Sequence, residues 1–297
     1  MKKILIICIA FCSLLVAACS SNTNDSNDNE PNPYEDQLKV LAIGNSFSDD
    51  SVDELWKIAT SWGIEDVTVG MLYIGGTSLQ DHYNNILKGA SGNNYTYFKY
   101  QGIHRTSRPD QTIKDGLTDE PWDVIMVQQV SGLSGIYESY NTPEPYLQTL
   151  LDYIKEHQIN KDGQIALNMT WAYSKTSNHH DYWRYNRDQE TMYEAIVTTA
   201  QEVLNSFKDI SFVIPTGTAI QNARPFIGDH NMTRDGYHLD HTTGRYVAAM
   251  TVFKAITGLD LKPIKHRTSG MDLETMNLVK DAVDAAIKNP FEFTKIE

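Results

Sequence analysis

The stretch LKVLAIGNSFSDD, residues 38–50, decides how this chain is read. Its first seven residues form a short, nearly continuous apolar run ending in glycine, the pattern of a parallel strand buried on both faces. Apolar residues then recur at Val52, Leu55, Trp56, Ala59 and Trp62, which is helical spacing, and Asp49 and Asp50 sit where a helix N-terminus favours negative charge. The stretch is therefore strand, turn and helix, with Ser46 on the bend. The simplest reading of a serine there is a helix cap. It is also where a nucleophile is exposed if a base and an acid converge on it.

Working outward, the pattern repeats. VTVGMLYIGG (67–76) is a second strand running to a glycine pair, and SLQDHYNNILKG after it has helical spacing. WDVIMVQQ (122–129), GQIALNMTW (163–171) and ISFVIPTG (210–217) supply three more strands, while helical patterns fill 143–157, 187–207 and 244–257. Such alternation predicts an α/β fold, a three-layer α/β/α sandwich around a central, mostly parallel five-stranded sheet. Ligands bind at the carboxyl ends of strands in open sheets of this kind, and Gly44-Asn45-Ser46, Gly75-Gly76 and Gln128-Gln129 occupy such ends. Residues 91–121, between the second and third strands, are a long polar and aromatic insertion that reads either as a substrate loop or as a solvated excursion. Trp171 and Tyr137 fall near the same edge and are candidate substrate-binding rings, although aromatics in such places more often pack. The run HHDYWRY (179–185) is left without an assignment.

The N-terminus carries its own signals. Lys2 and Lys3 precede an apolar run from Ile4 to Ala18 that ends in Val16-Ala17-Ala18-Cys19. That run falls short of the roughly 20 residues needed to span a bilayer, so it reads as an export signal, residues 1–19. Cys19 after small residues resembles a lipobox cysteine, the lipidation site of an exported lipoprotein held at the membrane in the periplasm or at the outer cell surface. A plain secretory signal is the alternative. Residues 20–36 have almost no apolar side chains and read as a disordered tether. Cys8 and Cys12 lie inside the signal, which leaves no disulfide to support the domain at 37–297; its core must do so.

Charge narrows the partners. The chain holds 25 basic and 38 acidic residues, a net −13, and loss of Lys2 and Lys3 with the signal leaves 23 against 38, or −15. Nucleic acid and anionic membrane surfaces both require a positive field, so neither is expected as a partner, and the membrane is met only through the lipid anchor. A neutral substrate such as a sugar fits better, though net charge alone does not choose it.

Three blocks resemble a known family, the SGNH (GDSL-type) hydrolases. GNSFS (44–48) resembles its Gly-Asp-Ser block, with Asn45 where many members carry aspartate. YIGGTSLQDH (73–82) resembles the second block, and DGYHLD (235–240) resembles the closing Asp-x-x-His block, late in the chain as that family requires. The likeness covers essentially the whole exported domain and is closest to the domain-of-unknown-function SGNH-like branch of Bacteroidetes lipoproteins, which share GNSFS, DGYHLD and GRY strings. It implies a flavodoxin-like SGNH fold without a cofactor. Ser46 is then the nucleophile, His238 its base and Asp235 the acid that orients the base, since an unassisted hydroxyl is a weak nucleophile at neutral pH. The oxyanion hole would comprise the N–H of Ser46, the N–H of Gly76 and a side-chain amide at the end of the third strand. There the family shows Gly-x-Asn-Asp and this chain has VQQVSG, so Gln129 is the substitute and Gln128 its rival. His230, His238 and His241 suggest a metal site only weakly, because no HExxH or cysteine pair accompanies them, and no metal is expected. The activity implied is ester hydrolysis, above all carbohydrate O-deacetylation through an acyl-serine. A non-catalytic glycan-binding lipoprotein and a lipase or thioesterase are the alternatives.

Overall fold

The computed structural model describes residues 32–296. The export signal, Cys19 and the first part of the tether lie outside the described residues. Asn32 and Tyr34, within the stretch read as tether, belong to the folded body: the Asn32 amide donates to the Thr257 carbonyl at 2.7 Å, and Tyr34 packs on the core.

The strands are β1 (Gln37–Gly44), β2 (Asp66–Tyr73), β3 (Tyr95–Gln101), β4 (His104–Gln111), β5 (Val124–Val127), β6 (Gln164–Asn168) and β7 (Phe212–Ile214). The helices are α1 (Ser46–Val52), α2 (Leu55–Trp62), α3 (Leu79–Leu87), α4 (Ile113–Leu117), α5 (Tyr146–His157), α6 (Gln189–Ser206), α7 (Thr216–Ile227), α8 (Asp229–Met232), α9 (Gly244–Thr257) and α10 (Leu273–Lys288). One seven-stranded sheet runs in the order β4-β3-β2-β1-β5-β6-β7. Helices α1, α2, α7, α9 and α10 pack together as one layer and α3, α4 and α5 as another, enclosing the sheet.

The five strands expected from the sequence are β2, β1, β5, β6 and β7, and they pair in parallel. The sheet nevertheless has seven strands, not five. The additional two come from residues 91–121, which fold into the antiparallel hairpin β3–β4 and the short helix α4 rather than a loop. YTYFKYQ alternates as a half-covered strand does: Tyr95 and Tyr97 are buried on one face, while Thr96, Phe98 and Tyr100 stand half-buried on the other. The exposed outer strand β4 carries His104, Arg105, Arg108, Pro109 and Asp110, charges and a proline that discourage edge-to-edge pairing.

β1 lies at the centre, and Leu38, Val40, Leu41, Ala42 and Ile43 are fully buried, as are Val124, Ile125 and Val127 beside them. The first crossover therefore starts from the most deeply buried part of the sheet. Among the described residues no helix is long and apolar enough to cross a membrane.

Beneath the hairpin, α3 buries His82 completely; its Nδ1 meets the Tyr95 hydroxyl at 2.6 Å and its ring stacks on the tyrosine. Burial pushes the imidazole down to about 4, against a small opposing effect of Asp81. A histidine kept neutral in the fold is protonated more readily when unfolded, so stability is lost as pH falls from about 6.5 towards 4, by up to about 3 kcal/mol. Urea unfolding of the parent should show this loss between pH 7 and 4.5, and His82→Gln should show a smaller one. Equal losses in the two proteins would show that His82 does not titrate as described.

Candidate active site

Gly44 ends β1 and α1 begins two residues later, so the chain reverses within its own width. A Cβ on Gly44 would lie 2.3 Å from the Ser48 hydroxyl and 3.1 Å from Gln128, so no side chain fits. Asn45 caps α1 by accepting the Phe47 N–H at 2.9 Å. The cap is thus asparagine, and the neighbouring serine is left free to face the cleft.

Asn45 does more than cap. Its Nδ2 donates to the Thr77 carbonyl at 2.9 Å, a bond an aspartate carboxylate could not give, and its Oδ1 also accepts from Gln128 at 2.9 Å. Gln128 in turn accepts the Ser48 hydroxyl at 2.7 Å. This buried network locks the Gly75–Thr77 turn, the start of α1 and the end of β5 to one another. Gly76 sits on that turn at φ +63, a conformation that suits glycine.

From the far end of the domain, DGYHLD returns to the same place. His238 Nε2 is 2.8 Å from Ser46 Oγ, and His238 Nδ1 is 2.6 Å from the Asp235 carboxylate. The other Asp235 oxygen accepts the backbone N–H groups of Tyr237 and His238 at 3.1 and 2.8 Å. Partial burial alone would raise the Asp235 carboxyl, but these bonds and the imidazole outweigh it and hold the group below the usual carboxylate range. It therefore stays ionised through neutral pH. Its electrostatic support is complete above the ordinary carboxyl value and is lost only as pH falls through the lowered one.

Several contacts hold the histidine loop, and the sequence did not single them out. Asp50, one turn along α1 from Ser46, is fully buried and accepts the Leu239 N–H at 2.8 Å, next to His238. It also binds Arg234 at 3.1 Å and Arg245 at 2.6 Å. Arg245 continues to Asp49 and Asp53, and Arg234 reaches the Leu239 carbonyl. On the opposite side the Trp171 indole donates to the Tyr237 carbonyl at 2.7 Å, and the Ser174 N–H to the Gly236 carbonyl at 2.8 Å. The loop is clamped from both flanks.

The resulting cleft, about 410 Å³, is lined by Ser46, His238, Asn45, Gly75 and Gly76 on its floor, and by Asp49, Tyr73, Arg234, Ser131, His179 and Tyr237 around it. Among the described residues the N–H groups of Ser46 and Gly76 take no internal partner, so both remain available to a ligand. Gln129 is placed differently from its expected part. Its amide nitrogen donates to the Ser139 carbonyl and hydroxyl at 2.9 and 3.0 Å, and its oxygen accepts from Leu79 and Val130. Gln128 is occupied by the cap network, so neither glutamine turns a free donor to the cleft.

The two rings expected at the substrate edge also lie elsewhere. Trp171 is fully buried and stacks on Phe47 at 4.3 Å, supporting the site from below. Tyr137 donates to the Ser206 hydroxyl at 2.9 Å, outside the cleft lining. From the unassigned HHDYWRY run, His179 does reach the cleft wall, edge-on to Tyr237 at 4.6 Å. His179, His180 and Asp181 are the one group with metal-ligand spacing among the described residues, but Nδ1 of His179 already accepts the Asp181 N–H at 3.2 Å. His230 and His241 do not join them.

The family model described as a domain of unknown function (DUF4886) matches residues 39–286, from the first strand to the last helix. The chain belongs to the DUF4886 family. A DUF4886 protein from Bacteroides uniformis, known from its crystal structure, is 40% identical, covering 88% of this chain and 98% of its own with a TM-score of 0.81. More distant likenesses are a gut microbial diltiazem-metabolizing enzyme, at 17% identity over 76% of this chain and 48% of its own, TM-score 0.43. A catalytic mutant of an acetylxylan esterase from Geobacillus stearothermophilus follows at 14% identity over 77% and 97%, TM-score 0.42. No curated protein matches this chain.

Within this DUF4886 member, Asp50→Asn tests the clamp. Arg245 keeps Asp49 and Asp53 and Arg234 is partly exposed, so losing the buried carboxylate and the charged acceptor of the Leu239 N–H should cost about 1–3 kcal/mol. A urea midpoint unchanged from the parent would show that Asp50 does not carry the loop.

Proposed function

We propose that the protein is a serine ester hydrolase of the SGNH (GDSL-type) kind, acting on O-acetylated carbohydrate through an acyl-serine intermediate. The observation that carries this reading is the unbroken relay Asp235–His238–Ser46, with bonds of 2.6 and 2.8 Å, opening onto a cleft beside two free backbone N–H groups.

The chemistry follows from the placement. Ser46 Oγ attacks the ester carbonyl carbon as His238 Nε2 takes its proton, while Asp235 holds the Nδ1–H and stabilises the imidazolium. The carbonyl oxygen becomes an oxyanion between the N–H of Ser46 and that of Gly76, at the positive end of α1. His238 then passes its proton to the departing alcohol oxygen, the C–O bond breaks, and the acyl group remains on Ser46. Water attacks that acyl-serine with His238 again accepting the proton, and collapse returns Ser46 and frees the acid. With Gln128 and Gln129 both engaged elsewhere, the hole has two backbone donors. One missing donor typically costs about 100- to 1,000-fold in turnover, which points to a modest enzyme on unactivated esters.

The cleft is only about 410 Å³, and Asp49, Arg234, Ser131 and His179 interrupt its apolar residues Phe47, Tyr73, Val130 and Tyr237, which favours a short acyl group over the chains a lipase or thioesterase takes. The Lys-rich start, apolar run and Cys19 support a lipoprotein held at the cell envelope, where polymeric carbohydrate is met. Ser46→Ala should lower 4-nitrophenyl acetate hydrolysis by at least about 1,000-fold, and Asp235→Asn by a smaller factor. Equal rates in parent and Ser46→Ala, both above a blank, would remove Ser46 from the reaction and leave a glycan-binding role.

A further inference from the structure

The hairpin β3–β4 is unexplained by the relay. Its two faces differ. On one, Lys99 and Arg108 pair with Asp119 and Glu120 around the buried Tyr97, a self-contained structural cluster. On the other, Phe98 and Tyr100 stand half-buried beside Tyr73, with Phe98 meeting Tyr73 edge-on at 6.1 Å. Arg105, directly opposite Tyr100 in the register, lays its guanidinium 4.3 Å from the Phe98 ring centre and 5.4 Å from that of Tyr100. It makes no ion pair among the described residues, unlike the two cations of the opposite face.

This second face is continuous with the cleft. Tyr73 and Asp49 line the cleft, and the same Tyr73 begins the aromatic row that Phe98 and Tyr100 extend. Burial, then the charge of Asp53 and, more weakly, of Asp49, raises the Tyr100 phenol, while Arg105 acts in the opposite sense, which puts all four groups in one neighbourhood. The row leads away from Ser46 on the side opposite Ser131 and His179.

The structure assigns Tyr73, Phe98, Tyr100 and Arg105 as a binding shelf for the sugar chain that carries the ester, next to the cleft that holds the acyl group. The assignment rests on the esterase reading above and deepens it. A pyranose ring presents C–H groups on its faces and hydroxyls at its rim. Aromatic rings take the former, and a guanidinium beside carboxylates takes the latter. An acyl chain would find Arg105, Asp49 and Asp53 in its path. An anionic polymer would meet a chain of net charge −13 with one unpaired cation on this face.

The test uses Ser46-dependent 4-nitrophenyl acetate hydrolysis together with mono-O-acetylated tetraoses of xylose, mannose and glucose, whose remaining hydroxyls are free. In Arg105→Ala and Tyr100→Ala, the ratio of kcat/KM on the preferred tetraose to that on 4-nitrophenyl acetate should fall about tenfold, chiefly through KM. Ile103→Ser, at the exposed hairpin tip, is the control and should keep the parental ratio. Calorimetric titration of the tetraoses into Ser46→Ala, with and without the shelf substitutions, reads binding without turnover. Weakening by the shelf substitutions supports the shelf even if the parent hydrolyses nothing, in which case only the esterase reading falls. Parental ratios in both shelf variants, or tetraose binding that is absent or insensitive to them, overturn the shelf while aryl-acetate hydrolysis leaves the esterase reading standing.

Discussion

The carboxylate of Asp50 is the point on which the site depends. Buried in α1 one turn after Ser46, it accepts the N–H of Leu239 and neutralises Arg234 and Arg245, so the last block of the domain is bound to the first crossover helix. A buried carboxylate is costly unless its lone pairs are satisfied, and here two guanidinium groups and a backbone amide satisfy them. That requirement brings the loop of His238 to α1 in one register. The 2.8 Å contact between Ser46 and His238 follows from it. Trp171 and Ser174 hold the same loop from the other side, so it is fixed in position before any ligand arrives.

The parallel core was legible because its signal is local. A strand buried on both faces must be a continuous apolar run, and the five such runs stand out from the polar and glycine-containing segments between them. The hairpin is not legible in this way, since the alternation of YTYFKYQ is diluted by polar residues on its exposed partner strand, and β4 buries almost nothing. Ser46, His238 and Asp235 could be read from their blocks and are found bonded to one another. Asp50, Arg234 and Arg245 could not, because an acid near a helix start has a sufficient local explanation in the dipole, and its partners lie almost two hundred positions away. Trp171 and Tyr137 show the limit of placing aromatics by strand end alone: position on the edge does not say whether a ring points up into solvent or down into the core.

The two glutamines carry a related lesson. A carboxamide at the end of β5 has the right chemistry for an oxyanion donor, yet Gln128 completes the cap of α1 and Gln129 ties the start of α3 to the loop at Ser139. Asn45 belongs to the same arrangement, for its amide donor reaches Thr77 and its oxygen takes Gln128. Asn45 and Gln128, which differ from the Gly-Asp-Ser and Gly-x-Asn-Asp patterns that their blocks resemble, are thus bonded to each other. Exchanging aspartate for asparagine in the first block creates a donor that the Thr77 carbonyl uses and keeps an acceptor that Gln128 needs.

Ser46 and Asp50, the anchor of the His238 loop, share a single turn of one short helix, which makes the distance between Ser46 and His238 a local measurement. Such a layout makes the spacing of the two side chains a property of α1 and the loop docked on it, so the outer strands of the sheet can vary without resetting it.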